Sequence, residues 1–171
     1  MKFLNKKYTI ITYGCQMNHH DSEKIAYLLE TLGYTKENDI EKSDFIIYNT
    51  CLVRENAELK VYGQLGALKN LKRKKPEMII AVCGCMMQTG DARATIISKY
   101  KHVDIIFGTK NINSLPDLLF KYLETGERVI DVSEDNVKDD YVNYNSKNNF
   151  QAYVNIMRGC DNFCSYCIVP Q

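Results

Sequence analysis

The sequence has no apolar run approaching the ~18 residues of a membrane-spanning helix, and its opening Met-Lys-Phe-Leu-Asn-Lys-Lys lacks the apolar core of a secretory signal. The chain is therefore expected in the cytoplasm, with no membrane partner. It also lacks a dominant charge: 22 Lys and Arg stand against 21 Asp and Glu, so the surface as a whole does not advertise a polyanionic partner. No low-complexity tract is present. There are seven cysteines. An odd number, in a compartment that keeps thiols reduced, argues for metal ligands over disulfides.

Three of the seven, Cys160, Cys164 and Cys167, stand in a C-x3-C-x2-C spacing within Arg158-Gly-Cys-Asp-Asn-Phe-Cys-Ser-Tyr-Cys-Ile-Val-Pro170. A zinc site asks for a fourth protein ligand in a matching pair, and a bacterial ferredoxin run reads C-x2-C-x2-C-x3-C-P. Neither pattern fits. Three thiolates on a four-iron cubane leave one iron without a protein ligand, free to hold a small molecule. The spacing therefore looks catalytic, with a lone CxxC or a zinc knuckle as the alternative.

Along the chain a unit recurs in which an apolar strand runs into a cysteine-bearing turn and then a helix. Tyr8 to Tyr13 reads as a strand ending at Gly14-Cys15. A helix capped by Asn18 or Asp21 follows, with Ile25, Leu28, Leu29 and Leu32 on one face and Gly33 as its stop. Asp44 to Asn49 is a second strand, ending at Thr50-Cys51. It leads into a long helix with Val53, Ala57, Val61, Leu65, Leu68 and Leu71 on its buried stripe, closed by Pro76. Met78 to Val82 runs through Cys83-Gly84 to Cys85 and a helix holding Ile96, Ile97 and Tyr100. A fourth strand, Val103 to Phe107, has no cysteine; a helix from about Ser114 to Gly126 follows, then a possible fifth strand at Val129 to Val132. This alternation predicts an α/β fold, doubly wound around a mostly parallel sheet with right-handed crossovers.

The expected domains are residues 1–132 for the sheet, a polar linker at 133–149, and 150–171 as the start of a second domain. There Ala152 to Met157 alternates like a first barrel strand delivering Cys160. So little follows the cysteine loop that the chain reads as part of a longer protein.

In a parallel sheet the turns after strands one, two and three open at one end, where such folds bind ligands. Neighbouring strands lie about 4.8 Å apart, so Cys15, Cys51 and Cys85 are expected to converge on one small cluster. The alternative is three buried small hydrophobes. Cys83 is read as a packed core thiol, and His19 and His20 as solvated loop residues rather than ligands.

The C-x3-C-x-aromatic-C loop, with Tyr166 in the aromatic place, resembles the radical S-adenosylmethionine enzymes. Gly14-Cys-Gln-Met-Asn18, Asn49-Thr-Cys-Leu-Val-Arg-Glu-Asn-Ala-Glu58 and Gly84-Cys-Met-Met-Gln88 are similar to the methylthiotransferase family within them, most of all to its tRNA-modifying members. The resemblance implies two [4Fe-4S] clusters. One, at Cys160, Cys164 and Cys167, would chelate S-adenosylmethionine, with Tyr166 near its adenine, and cleave it to a 5′-deoxyadenosyl radical. The other, an auxiliary cluster at Cys15, Cys51 and Cys85, would carry the sulfur. The implied reaction adds a methylthio group to C2 of N6-isopentenyladenosine at position 37 of tRNA, with flavodoxin or ferredoxin as reductant.

Two other functions are weighed against this one: a methylthiotransferase acting on an aspartate of a ribosomal protein, and an iron-sulfur module that only carries electrons. Between Arg54 and Lys75 seven basic residues (Arg54, Lys60, Lys69, Lys72, Arg73, Lys74 and Lys75) face Glu55 and Glu58. That patch suits phosphates, though on physics alone a solvated helix C-terminus is the stronger reading.

Overall fold

The computed structural model describes residues 3–52, 55–132, 153, 160–167 and 169. The β-branched and aromatic runs become strands β1 (Lys7–Tyr13), β3 (Phe45–Thr50), β4 (Ile79–Cys83), β5 (Ile105–Phe107) and β6 (Val129–Asp131), joined by a two-residue strand β2 (Thr35–Lys36). Helices α1 (Gln16–Thr31), α2 (Glu55–Lys74), α3 (Gly90–Lys99) and α4 (Leu115–Thr125) alternate with them. The strands form one six-stranded sheet in the order β2-β1-β3-β4-β5-β6, and every pairing is parallel. The expected doubly wound architecture is thus present.

Both faces of the sheet are covered, which is why β3 and β4 are apolar with scarcely a break and buried throughout. The pleat sends Phe45 and Ile47 into a core beneath α1 and α4, beside Ile25, Leu29, Leu115 and Leu119. Ile46 and Tyr48 enter the opposite core beneath α2 and α3, with Val61, Leu65, Leu68 and Ile96. Each fully buried Ile, Leu or Phe contributes on the order of 1.5–3 kcal/mol, so the two cores fix the sheet firmly from both sides.

The register levels the strand ends. Tyr13 stands opposite Thr50 and Asn49 opposite Cys83, and the Cys51 N–H donates to Tyr13 O at 2.9 Å. The turns that follow β1, β3 and β4 therefore leave the sheet at one height on three adjacent strands. The strand order reverses between β1 and β3, which is the switch point where open α/β sheets of this order bind ligands.

The other end of the sheet is closed by ion pairs. Asp104 accepts from Ile80 N–H (2.8 Å), from Lys72 Nζ (2.8 Å) and from Tyr122 OH (3.0 Å). Lys72 also donates to Met78 O. Arg128 donates to the carbonyls of Ile97, Tyr100 and Val103, pinning the loop before β5.

Several local expectations are corrected. The first helix starts at Gln16 with Cys15 itself at the N-cap position; Asn18, its third residue, takes part in the cap by accepting the Cys15 N–H, and Asp21 does not. His19 and His20 lie on that helix rather than in a loop, and His20 is buried. Cys85 opens a 3-10 turn, Cys85–Gln88, which Met86 and Met87 anchor in the core ahead of α3. The predicted strand at 152–157 and the linker at 133–149 lie outside the described residues, Tyr153 excepted.

Candidate metal centre

Each turn after β1, β3 and β4 carries one thiol. Cys15 leaves β1 in an extended conformation, and its N–H is held by Asn18 Oδ1 at 3.1 Å; its thiol lies 3.5 Å from the same oxygen. Cys51 directly follows β3 and is buried. Cys85 is reached through Gly84, whose φ of 100° and ψ of −178° fall in a region essentially confined to glycine. A Cβ at Gly84 would lie 2.3 Å from Thr50 O, so this turn comes against β3 only because no side chain intervenes.

The three turns meet. The Leu52 N–H donates to Cys85 Sγ at 3.2 Å, and the Cys85 thiol donates to Thr50 O at 3.6 Å. The half-buried Cys85 thiol is pushed up in pKa, first by burial and further by Cys51 and Cys15, while the Leu52 N–H opposes the shift. The Cys85 thiol thus lies against the turn that carries Cys51. Cys83, two residues earlier, is 0% exposed in the α1-side core, and burial pushes its thiol far up. A thiol held neutral in that way is a core residue, as expected.

Three soft thiol donors without a carboxylate among them are the donor set that iron-sulfur clusters use. Among the described residues no three or more His, Cys, Asp or Glu side chains form a group able to hold a metal ion. Zinc would require such convergence on one point. A [4Fe-4S] cluster makes a different demand, one thiolate for each iron it engages, and thiols on neighbouring level strand ends suit that demand.

Cys160, Cys164 and Cys167 form the second set. Cys164 is exposed and the other two are half-buried. The Cys167 N–H donates to Cys164 O at 3.0 Å, and Asn162 Nδ2 donates to Cys160 Sγ at 3.4 Å. Tyr166 is 92% exposed, so its ring is open to an external partner.

The basic stretch before Pro76 does not act as one free patch. Lys72 is taken by Asp104, and Lys75 by Ser43 O at 2.9 Å and Asp44 at 3.6 Å. Lys69 and Arg73, with the ion-paired Lys72 beside them, join Lys99, Lys101 and His102 around a groove of about 490 Å³. It lies where α2 and α3 end and the chain approaches β5, opposite the thiols. Arg54 is outside the described residues. The sequence pointed to the thiols by their strand-end positions. It offered Asn18 only as a helix cap and did not single out Asn49, although both stand inside the quoted cysteine motifs.

A family model described as "Uncharacterized protein family UPF0004" matches residues 7–108. Proteins named tRNA-2-methylthio-N(6)-dimethylallyladenosine synthase are similar over almost all of the chain. The one from Finegoldia magna is 61% identical over 163 residues, covering 95% of this chain and 35% of the relative. That from Alkaliphilus oremlandii is 53% identical, covering 97% and 36%; that from Clostridioides difficile is 54% identical, covering 93% and 34%. The chain spans about a third of the length of these relatives. The match bears out the family resemblance read from the cysteine motifs. The chain belongs to the family described as UPF0004, whose matched region contains β1 to β5 and all three thiol-bearing strand ends.

Proposed function

We propose that the whole protein is a radical S-adenosylmethionine methylthiotransferase that places a methylthio group on C2 of N6-isopentenyladenosine at position 37 of tRNA. The observation that carries this reading is the level set of Cys15, Cys51 and Cys85 at the switch point of the sheet, in a chain with 51–61% identity to enzymes named for that modification. Residues 1–132 form the domain that holds the auxiliary cluster; 133–149 link it to a second domain that begins at 150–171 and holds the other cluster.

Cys15, Cys51 and Cys85 are the protein ligands of the first [4Fe-4S] group, and Cys160, Cys164 and Cys167 those of the second. When bound, such groups supply the one-electron chemistry and the sulfur handling that side chains lack. The chain's own residues do the placing. Gly84 lets the Cys85 turn approach β3, the Leu52 N–H is aimed at Cys85 Sγ, and Met86 and Met87 anchor the turn from the core. Tyr166, exposed beside Cys167, would lie near the adenine of S-adenosylmethionine. A small reductant protein such as flavodoxin or ferredoxin is the expected electron source.

The test is mass spectrometry of tRNA nucleosides from cells with and without the gene. Loss of the 2-methylthio group, with isopentenyladenosine accumulating, is expected. Unchanged tRNA, with a ribosomal-protein aspartate losing its methylthio group instead, would overturn the substrate assignment.

A further inference from the structure

Asn18 and Asn49 form a buried amide pair directly beneath the three thiol turns, 2% and 0% exposed. Asn18 Nδ2 donates to Asn49 Oδ1 at 3.1 Å and to Thr50 O at 3.2 Å, while its Oδ1 accepts the Cys15 N–H. Asn49 Nδ2 donates to the Asn18 backbone O at 2.8 Å and to Ser22 Oγ at 2.9 Å. Thr50 O, the carbonyl just before Cys51, also receives the Cys85 thiol. One side-chain amide thus joins the Cys15 turn to the peptide that leads into Cys51, and that peptide reaches Cys85.

We propose that Asn18 and Asn49 are positioning residues that set the mutual spacing of Cys15, Cys51 and Cys85 for an iron-sulfur cluster; the proposal rests on the reading of those cysteines as ligands. The residue type follows from the bonds required. Asn18 must accept from one turn and donate twice to another, which a carboxylate cannot do and a hydroxyl cannot span. A helix cap alone would need only the acceptor.

Space around both amides has been cleared by glycine. A Cβ at Gly14 would lie 2.0 Å from Asn18 Oδ1, and one at Gly84 would lie 2.6 Å from Asn49 Oδ1. The first and third thiol turns therefore both pack against this pair. Groups that hold metal ligands in orientation commonly change metal affinity 10- to 100-fold when removed, and the Asn pair occupies that role for all three turns.

The experiment compares the unaltered chain with Asn18→Ala, Gly14→Ala and Ser22→Ala. Thiol spacing is read in the metal-free protein by cross-linking with dibromobimane and mapping which peptides join Cys15 to Cys51 or Cys85. Iron affinity is read after anaerobic reconstitution by competition with a chelator. Asn18→Ala is expected to abolish the Cys15 cross-links and to weaken iron retention about 10- to 100-fold. Gly14→Ala, which displaces the Asn18 oxygen without removing it, is expected to reproduce both effects and serves where Asn18→Ala does not fold. Ser22→Ala removes an outer bond of the same network and is expected to leave cross-links and iron unchanged. Unaltered cross-links in both Asn18→Ala and Gly14→Ala, or equal losses in Ser22→Ala, would overturn the proposal. The cross-links report on the amide pair even if the unaltered chain binds no iron, a result that would separately refute the ligand reading.

Discussion

Replacing Cys83 and Cys85 one at a time by alanine separates a packing thiol from a ligand within three residues. Cys83 is fully buried beside Asn49 in the sheet and within the α1-side core. Its truncation removes one sulfur from a close-packed site, a loss comparable to a buried methyl group and worth about 1 kcal/mol. For a chain of this size that lowers Tm by about 2–4 °C, while the strand-end thiols stay in place and iron binding persists. Cys85 is half-buried, and its sulfur makes hydrogen bonds of 3.2 and 3.6 Å to Leu52 N–H and Thr50 O. Its removal from the metal-free protein costs less than about 1 kcal/mol, since sulfur bonds of this length are weak and the site borders solvent. Its iron is lost. Thermal melts of the metal-free proteins, paired with iron and sulfide assays after anaerobic reconstitution, measure both quantities. Full iron in Cys85→Ala with loss in Cys83→Ala would show that the ligand is the other thiol.

Gly84→Ala combines a glycine-only backbone conformation with a Cβ 2.3 Å from Thr50 O, so a loss of about 3 kcal/mol or more is expected in chemical denaturation; a change below about 1 kcal/mol would mean that the turn relaxes freely. Glu37 is held at a pKa of about 2 by Lys7, with the Asp39 and Asn38 N–H groups adding to the effect. Its folded value is depressed, so the stability it contributes is present above its unfolded pKa near 4.5 and is lost as pH falls toward 2; Glu37→Gln should flatten that acid limb, and an unchanged limb would refute the pairing. If the whole protein binds tRNA as proposed and the groove meets its phosphates, Lys69, Arg73, Lys99 and Lys101 changed together to Gln should reduce the salt dependence of that binding. Lys72→Ala should instead cost about 2 kcal/mol of stability, because it leaves Asp104 without its cation; the reverse pattern would contradict this assignment.

The strands, the helices and the thiol-bearing turns were legible because hydrophobic period and glycine or cysteine punctuation are local signals. Strand order was not, since β2 is only Thr35–Lys36, both exposed, and carries no apolar pattern to announce a sheet edge. Asn18 read as a helix cap because caps and buried polar hubs use the same residue type. Its role appears only once β3 brings Asn49 and Thr50 beside α1. His20 looked like a loop residue because the helix begins at Gln16, earlier than any side-chain cap suggested. The basic stretch was visible as charge, yet its division into ion-paired Lys72 and Lys75 and a groove shared with Lys99 and Lys101 depends on Asp44 and Asp104 from distant strands.

The central claim, that three level strand ends hold one cluster, is tested most directly with Cys160, Cys164 and Cys167 all changed to Ala. Only the strand-end thiols and Cys83 then remain. Anaerobic reconstitution followed by iron and sulfide analysis and Mössbauer spectroscopy should show one [4Fe-4S] cluster per chain, absent when Cys15, Cys51 and Cys85 are also changed. Iron no higher in the first variant than in the second would contradict the account.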